Sequence, residues 1–221
     1  MREMLDLLAR PVLETILMVL SSTAIAALLG GAAGLGLYYM SNDRLSEHAR
    51  QLSIVKKVAD RAINVLRSFP FIILMVLVLP LSRLIVGTSL GTVAAIVPLS
   101  IAASPFIARI VEASLSEVDA GIMDAAIASG ASKRRILFAI LVPEALPSLV
   151  SGLTLTMISL VGYSAMAGVI GGGGLGDLAI RYGYQRFRMD IMIASVLAII
   201  AFVEGIQMSG NAIARGIKKK R

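Results

Sequence analysis

Cysteine is absent from the 221 residues, and histidine occurs once, at His48. The first absence removes disulfide frameworks, thiolate metal sites and cysteine nucleophiles. The second leaves any imidazole chemistry a single candidate, with no second imidazole or thiolate to share a metal. His48 stands among polar residues in a loop and reads as a solvated side chain. Charge is scarce as well: Asp, Glu, Lys and Arg make up 16% of the chain, against 57% apolar residues. An ordinary soluble domain carries roughly 25% charged residues. At a mean hydropathy of +0.85, the chain has too little polar surface to cover itself in water. Its solvent is therefore expected to be the lipid bilayer. The net charge of +7 would suit nucleic acid, but the basic residues fall between apolar runs and at the C-terminus. That is the pattern of inner loops in a membrane protein, so no nucleic-acid partner is expected.

Long uncharged runs supply the spans, each needing about 20 residues to cross the hydrocarbon core. Five are expected: one within Thr15 to Asn42, then roughly Ala62 to Leu81, Leu84 to Ala108, Ala145 to Gly176 and Ile191 to Ala214. The second contains Pro70 and has the shortest uncharged core; the fifth is interrupted once, by Glu204. The first run is longer than the apolar part of a signal peptide, about 7–15 residues, and acids precede it, so it is expected to be retained. A tight turn is expected around Ser82 to Ser89. Lys and Arg divide thirteen to six between the two sides. The richer side comprises the loop after span one, residues 133–135 and the tail, which places the C-terminus in the cytoplasm and the N-terminus outside.

The largest element outside the spans is then cytoplasmic, roughly residues 109–144. Glu117 and Asp119 suit the start of a helix, and the alanine-rich stretch after them favours helix. Gly130 breaks it, and Ser132 can cap a second helix carrying Ile136, Leu137 and Ile140 on one face. The result is a compact knob whose small residues, among them Ala125, Ala126 and Gly130, let another protein's backbone approach.

Within it, Asp124-Ala125-Ala126 is followed by three residues and Gly130, then by nine residues and Ile140-Leu141-Val142-Pro143. This resembles the EAA loop of bacterial ABC importer permeases, with Asp for Glu and Val for Leu. Three other segments are similar to the methionine-importer branch of that family: Leu66 to Leu74 with Phe69-Pro70 inside it, Pro105 to Arg109, and Leu160 to Met166. The resemblance covers roughly residues 12–215. It implies an all-α, polytopic membrane protein of the type I ABC importer permease fold, with five transmembrane helices and a coupling-helix loop, in one domain over residues 1–221. It further implies a homodimer in the bacterial inner membrane, two cytoplasmic ATPase subunits that bind ATP and Mg, and an external methionine-binding lipoprotein. The substrate it implies is methionine, with both enantiomers, close thioether analogues and other small amino acids as candidates. The implied ATPase-coupling residues are Asp124, Ala125, Ala126, Gly130 and Ala131. The implied gate or path residues are Tyr163, Ser164, Met166, Phe69 and Pro70. Tyr163 and Ser164 can offer hydroxyls there, and Met166 a flexible thioether suited to a changeable surface.

The remaining candidates weigh less. Gly171 to Gly176 contains G-x-G-x-x-G, but no strand precedes it, so it reads as a flexible, tightly turning exit from span four. No G-x-x-x-x-G-K-[ST] occurs, so ATP must be bound by a partner, and this chain is expected to hold no cofactor, no metal and no catalytic residues. Gly30 with Gly34, and Gly168 with Gly172, have the spacing of close helix packing, which the frequency of glycine in spans explains equally well. Arg67 and Arg109 are expected to snorkel at span ends. Glu204 is an acid inside a span; a hydrogen bond to a neighbouring helix, or a place near the inner interface, is the preferred reading. A secondary transporter driven through Glu204 is the rival, but it leaves the knob unexplained. A membrane enzyme lacks a set of catalytic residues.

Overall fold

The computed structural model describes residues 2–46 and 49–219; His48, Lys220 and Arg221 lie outside the described residues. The elements are helical: α1 (Arg2–Ser41), α2 (Ala49–Ser68), α3 (Phe71–Val86), α4 (Thr92–Ser116), α5 (Ala120–Ala128), α6 (Val142–Ala167), α7 (Gly174–Leu178) and α8 (Met189–Lys219). Helix α6 is the body of a longer helical run, Lys133–Gly172, with wide π turns at Ile136–Leu141 and Gly168–Gly172. Four segments are each long and apolar enough to cross a bilayer: Asp6–Ser41, Thr92–Ser116, Lys133–Gly172 and Met189–Lys219. The pair α2 and α3 makes a fifth if taken together, bent by 108°.

That bend corrects the second expected span. Ala62 to Leu81 is not one helix: its first residues belong to α2, which carries Lys56, Lys57, Asp60, Arg61 and Arg67, and only α3 is apolar throughout its first turns. Pro70 has no N–H to continue the ladder and biases Phe69 away from helical geometry, so the chain turns there. The third span also shifts. It starts at Thr92 after a turn in which Gly87 and Gly91 have φ of +86° and +92°, and it continues past Ala108 to Ser116. Residues 109–116 are therefore the end of a spanning helix, and the knob proper is confined to residues 117–132.

Two apolar clusters hold the fold. The larger joins Met18, Val19 and Ala26 of α1 to Phe71 and Met75 of α3, Leu99 and Ile107 of α4, Leu160 and Val161 of α6, and Ile206 of α8. Lipid supplies no hydrophobic drive between spans, so close packing must do so. The α1–α4 contact shows how: a Cβ on Gly30 would stand 2.3 Å from the Ser104 carbonyl oxygen, and one on Gly34 2.4 Å from that of Ala108. The Gly30–Gly34 spacing is thus a packing device. The second cluster, Tyr38, Leu45, Leu115, Met123, Ala126, Ile136, Leu137, Leu141 and Ala145, pins the knob to the helix ends. It joins Met123 and Ala126 of the knob to side chains at the ends of the spanning segments, among them Tyr38, Leu115 and Leu141.

The sidedness of the loops follows from these contacts. The turn after α1 meets α5 through Arg44 and Asp124, and Lys218 of α8 shares a cavity with Glu117 and Asp119. All three basic segments therefore gather at one end. At the opposite end Arg10, Glu14, Gly91, Gly171, Asp177 and Arg181 line one cavity of about 570 Å³.

Candidate functional site

The knob is built by two caps and a turn. The Asp119 carboxylate accepts from the Gly121 N–H at 2.7 Å and starts α5; Ser132 accepts from Arg135 N–H at 3.4 Å and starts the next helical run. Glu117 has a different job, accepting from the Ser148 hydroxyl at 2.9 Å. Between the caps Gly130 takes φ +73°, with open space where a Cβ would stand. A side chain at Gly130 therefore meets no clash; it meets backbone strain.

The coupling residues do not share one face. Asp124, Ala125 and Gly130 are exposed, Ala131 is half-buried, and Ala126 is buried with Met123 against the protein's own second cluster. This corrects the reading of Ala126 as part of the approach surface: at helical spacing from Met123 it is the foot of α5. The exposed face consists of Ile122, Asp124, Ala125, Ile127 and Ala128, ending at Gly130. Asp124 pairs with Arg44 at 2.7 Å. Asn42, two residues before Arg44, holds this junction: its Oδ1 accepts from Arg44 N–H at 3.0 Å and its Nδ2 donates to the Tyr38 hydroxyl at 3.2 Å. The loop basic residues were visible in sequence, but nothing local named Arg44 as the partner of Asp124.

The gate residues separate as well. Tyr163 stacks on Phe71, with ring centroids 4.5 Å apart and planes at 9°. Met166, one turn on, is 46% exposed. Phe69 and Pro70 are exposed at the bend that leads into Phe71. Ser164 lies apart from them: it is buried, and its hydroxyl donates to the Val161 carbonyl of its own helix at 2.7 Å. The expectation that Ser164 offers a hydroxyl to a path is therefore corrected by ordinary back-bonding. Beside Tyr163, a cavity of about 290 Å³ is lined by Arg67, Phe106, Arg109, Thr156 and Ser159 among others.

Arg67 and Arg109 are engaged by protein. Arg67 lies over the Phe106 ring at 5.0 Å. Arg109 pairs with Asp60 at 2.8 Å and Glu112 at 2.6 Å, and Lys56 reaches Glu112 at 3.5 Å. These contacts turn the charged face of α2 toward α4, and leave Ile54, Val58 and Val65 exposed on the other face.

The glycine run is pinned where flexibility was expected. Glu14 accepts from Gly174 N–H at 2.8 Å and Thr15 from Leu175 N–H at 2.9 Å. These pairs are 160 positions apart, and no sequence signal announces them. Nearby Arg181 pairs with Asp177, whose hydrogen bonds raise the guanidinium pKa further. Glu204 stands near the middle of the 31-residue α8, on its exposed face with Asn211. Among the described residues no hydrogen bond or ion pair reaches it, so the expected bond to a neighbouring helix is not made within this chain. At mid-membrane in lipid such a charge costs about 2.5–3.5 kcal/mol on insertion scales. The described residues hold no group of three His, Cys, Asp or Glu placed to bind a metal.

A bundle of membrane-crossing helices with a capped helical knob at one end defines a polytopic membrane subunit built to be engaged from outside the bilayer. The chain belongs to the binding-protein-dependent transport system inner membrane components, whose family model matches residues 45–220. It is 42% identical over 96% of its length to the probable D-methionine transport system permease protein MetI of Vibrio cholerae, covering 92% of that protein. The methionine import system permease protein MetP of Bacillus subtilis is 43% identical over 77% of each chain. A chain of the MetNI methionine ABC transporter, in an inward-facing crystal form, is 40% identical with a TM-score of 0.91, over 98% of this chain and 99% of that one. An amino acid ABC transporter with histidines shares the fold at a TM-score of 0.68 and 20% identity, over 99% of this chain and 94% of that one.

Proposed function

We infer that this chain is the membrane-spanning permease subunit of an ABC importer for methionine, in the L form and the D form. The observation that carries the reading is the knob: an Asp-Ala-Ala, three residues, Gly spacing that folds into a capped helix with Asp124 and Ala125 outward. Two copies would enclose the path, and two cytoplasmic ATPase subunits would seat the exposed face of α5 and supply ATP and Mg. An external binding lipoprotein would deliver substrate at the opposite end. The bias of basic residues toward the α5 end supports a cytoplasmic C-terminus and an external N-terminus. The chain performs no covalent chemistry in this scheme; it alternates between outward and inward openings, as one permease domain over residues 1–221.

Several contacts favour a path beside the Tyr163–Phe71 stack. The bend at Pro70 gives α3 a hinge-like start, and the exposed Met166 thioether can seal an opening and yield. Glu204, without a partner among the described residues, supports a neighbouring copy over the outer face of α8, since polar groups in spans normally face protein or water. The test is uptake by vesicles containing the chain, its ATPase and its binding protein. Labelled methionine is expected to accumulate with ATP. Accumulation of a polar amino acid while methionine is ignored would overturn the substrate and leave the importer.

A further inference from the structure

Helix α1 is fastened beyond its C-terminal end, and again at Glu14 and Thr15, to the parts of the molecule that an importer must move. At the cytoplasmic end Asn42 directs its Nδ2 toward the Met123 sulfur at 3.9 Å, Arg44 pairs with Asp124 at 2.7 Å, and Leu45 is fully buried. At the external end Glu14 and Thr15 receive the N–H groups of Gly174 and Leu175, at 2.8 and 2.9 Å. From Glu14 to Ser41 the chain is one continuous helix, about 42 Å long at 1.5 Å per residue.

We propose that α1 is a strut that carries displacement of α5 to the external loop 171–175, with Arg44 and Glu14 as its positioning residues. The proposal rests on the reading of α5 as the element seated in a partner ATPase.

Three features suit α1 to this work. It is unbroken from Glu14 to Ser41, and Gly30 and Gly34 let it ride against α4 backbone to backbone, so it has a defined surface to move along. Its external attachments are hydrogen bonds from backbone N–H groups to side-chain acceptors, which weaken steeply beyond about 3.2 Å. A shift of α1 by an ångström therefore either breaks them or takes the loop with it. The loop is held to α1 through those two bonds rather than by helical continuity: Gly171, Gly173 and Gly174 all have positive φ, and Ile170 and Gly171 leave helical geometry where the α6 run ends. That end lies one turn beyond Met166, so the position of the loop sets how the external mouth closes.

A bracket that only stabilises the fold would make the same contacts, and the difference lies in energetic coupling between the two ends. The experiment uses the full complex in vesicles and reads methionine imported per ATP hydrolysed. Glu14→Ala removes the acceptor for Gly174, and Arg44→Glu sets like charge against Asp124. Each is expected to lower the ratio by about threefold or more while the complex still assembles, and the double variant is expected to fall no further than the worse single. Glu14→Gln keeps an acceptor oxygen and is expected to restore the ratio. Losses that multiply in the double variant, a change in one single variant without the other, or unchanged ratios in both would overturn the strut. Should Glu14→Ala fail to accumulate in the membrane, Thr15→Val removes the neighbouring acceptor and is scored by the same rule. The wild-type complex in the same vesicles tests the functional reading; only the comparison among variants tests the strut.

Discussion

Tyr163 of α6 and Phe71 of α3 stack nearly parallel, 4.5 Å between centroids, directly after the bend at Pro70. The pair ties the first turn of a broken helix to the later turns of an intact one. Any opening that swings α3 about its bend must slide or part these rings. Aromatic pairs contribute about 0.5–1.5 kcal/mol beyond their area, enough to bias such an equilibrium without fixing it. Tyr163→Phe keeps the stack and is expected to transport like the wild type. Tyr163→Ala is expected to lower methionine uptake in vesicles while membrane abundance stays normal. Equal uptake by both variants would show that the stack has no part in opening.

Met166 lies one turn beyond Tyr163 and is 46% exposed, so it is not packing the chain's own core. Met166→Ala removes a flexible apolar plug without burying a charge. ATP turnover in the absence of binding protein is expected to rise by about twofold or more, because a looser seal narrows the gap between resting and active states by a fraction of a kcal/mol. Assembly with the ATPase should not change. Unaltered turnover and uptake across methionine concentrations would return Met166 to a contact without function.

What the sequence revealed, and what it hid, follows from the range of each interaction. Spans are long local runs, so the first, fourth and fifth appear near their observed places, while the third lies eight residues further along than expected. The second was misplaced because hydropathy averages across Phe69 and Pro70, where the backbone turns by 108°. The spacing from Asp124 to Gly130 is also local, and the caps at Asp119 and Ser132 form as their residue types suggest. Which alanine faces outward depends on the register of α5 over Met123, a tertiary fact, and so Ala126 was misjudged. The attachments of Gly174 to Glu14 and of Asp124 to Arg44 join distant positions whose residue types are ordinary for loops. Gly173 is a case in point: in sequence it belongs to a flexible exit from span four, yet with φ +78° a Cβ there would stand 2.7 Å from Glu14 Oε2.

Glu204 separates the importer from an ion-coupled transporter. It is exposed on the outer face of α8 and finds no partner in its own chain among the described residues. If it were the proton or sodium site of a secondary transporter, Glu204→Gln would abolish uptake. In an importer driven by a partner ATPase, Glu204→Gln keeps a polar group for a neighbouring subunit, and ATP-dependent uptake is expected to stay near the wild-type rate. Collapsing the ion gradients with an ionophore should likewise leave uptake intact. Loss of uptake in the variant, with ATP hydrolysis retained, would mean that the charge itself is needed.

Gly130 offers the sharpest test of the docking reading. Its φ of +73° is unfavourable for any β-branched residue, and a Cβ there would meet open space, so Gly130→Val acts through the backbone. The strain is about 1–3 kcal/mol, which lowers the population of the docked shape of the turn by about a factor of 5 or more. The spans do not depend on that turn, so membrane abundance should stay normal while ATPase capture and ATP-dependent uptake fall sharply. Gly173→Val would be a poor control, because it breaks into the Glu14 attachment. Gly87→Val is better matched: Gly87 has φ +86°, a Cβ there would find no atom within 4 Å, and it lies in the turn between α3 and α4. It imposes the same strain far from α5, and ATPase capture by Gly87→Val should equal that of the wild type. If Gly130→Val binds its ATPase and transports as well as Gly87→Val does, the α5 knob is not where the two subunits couple.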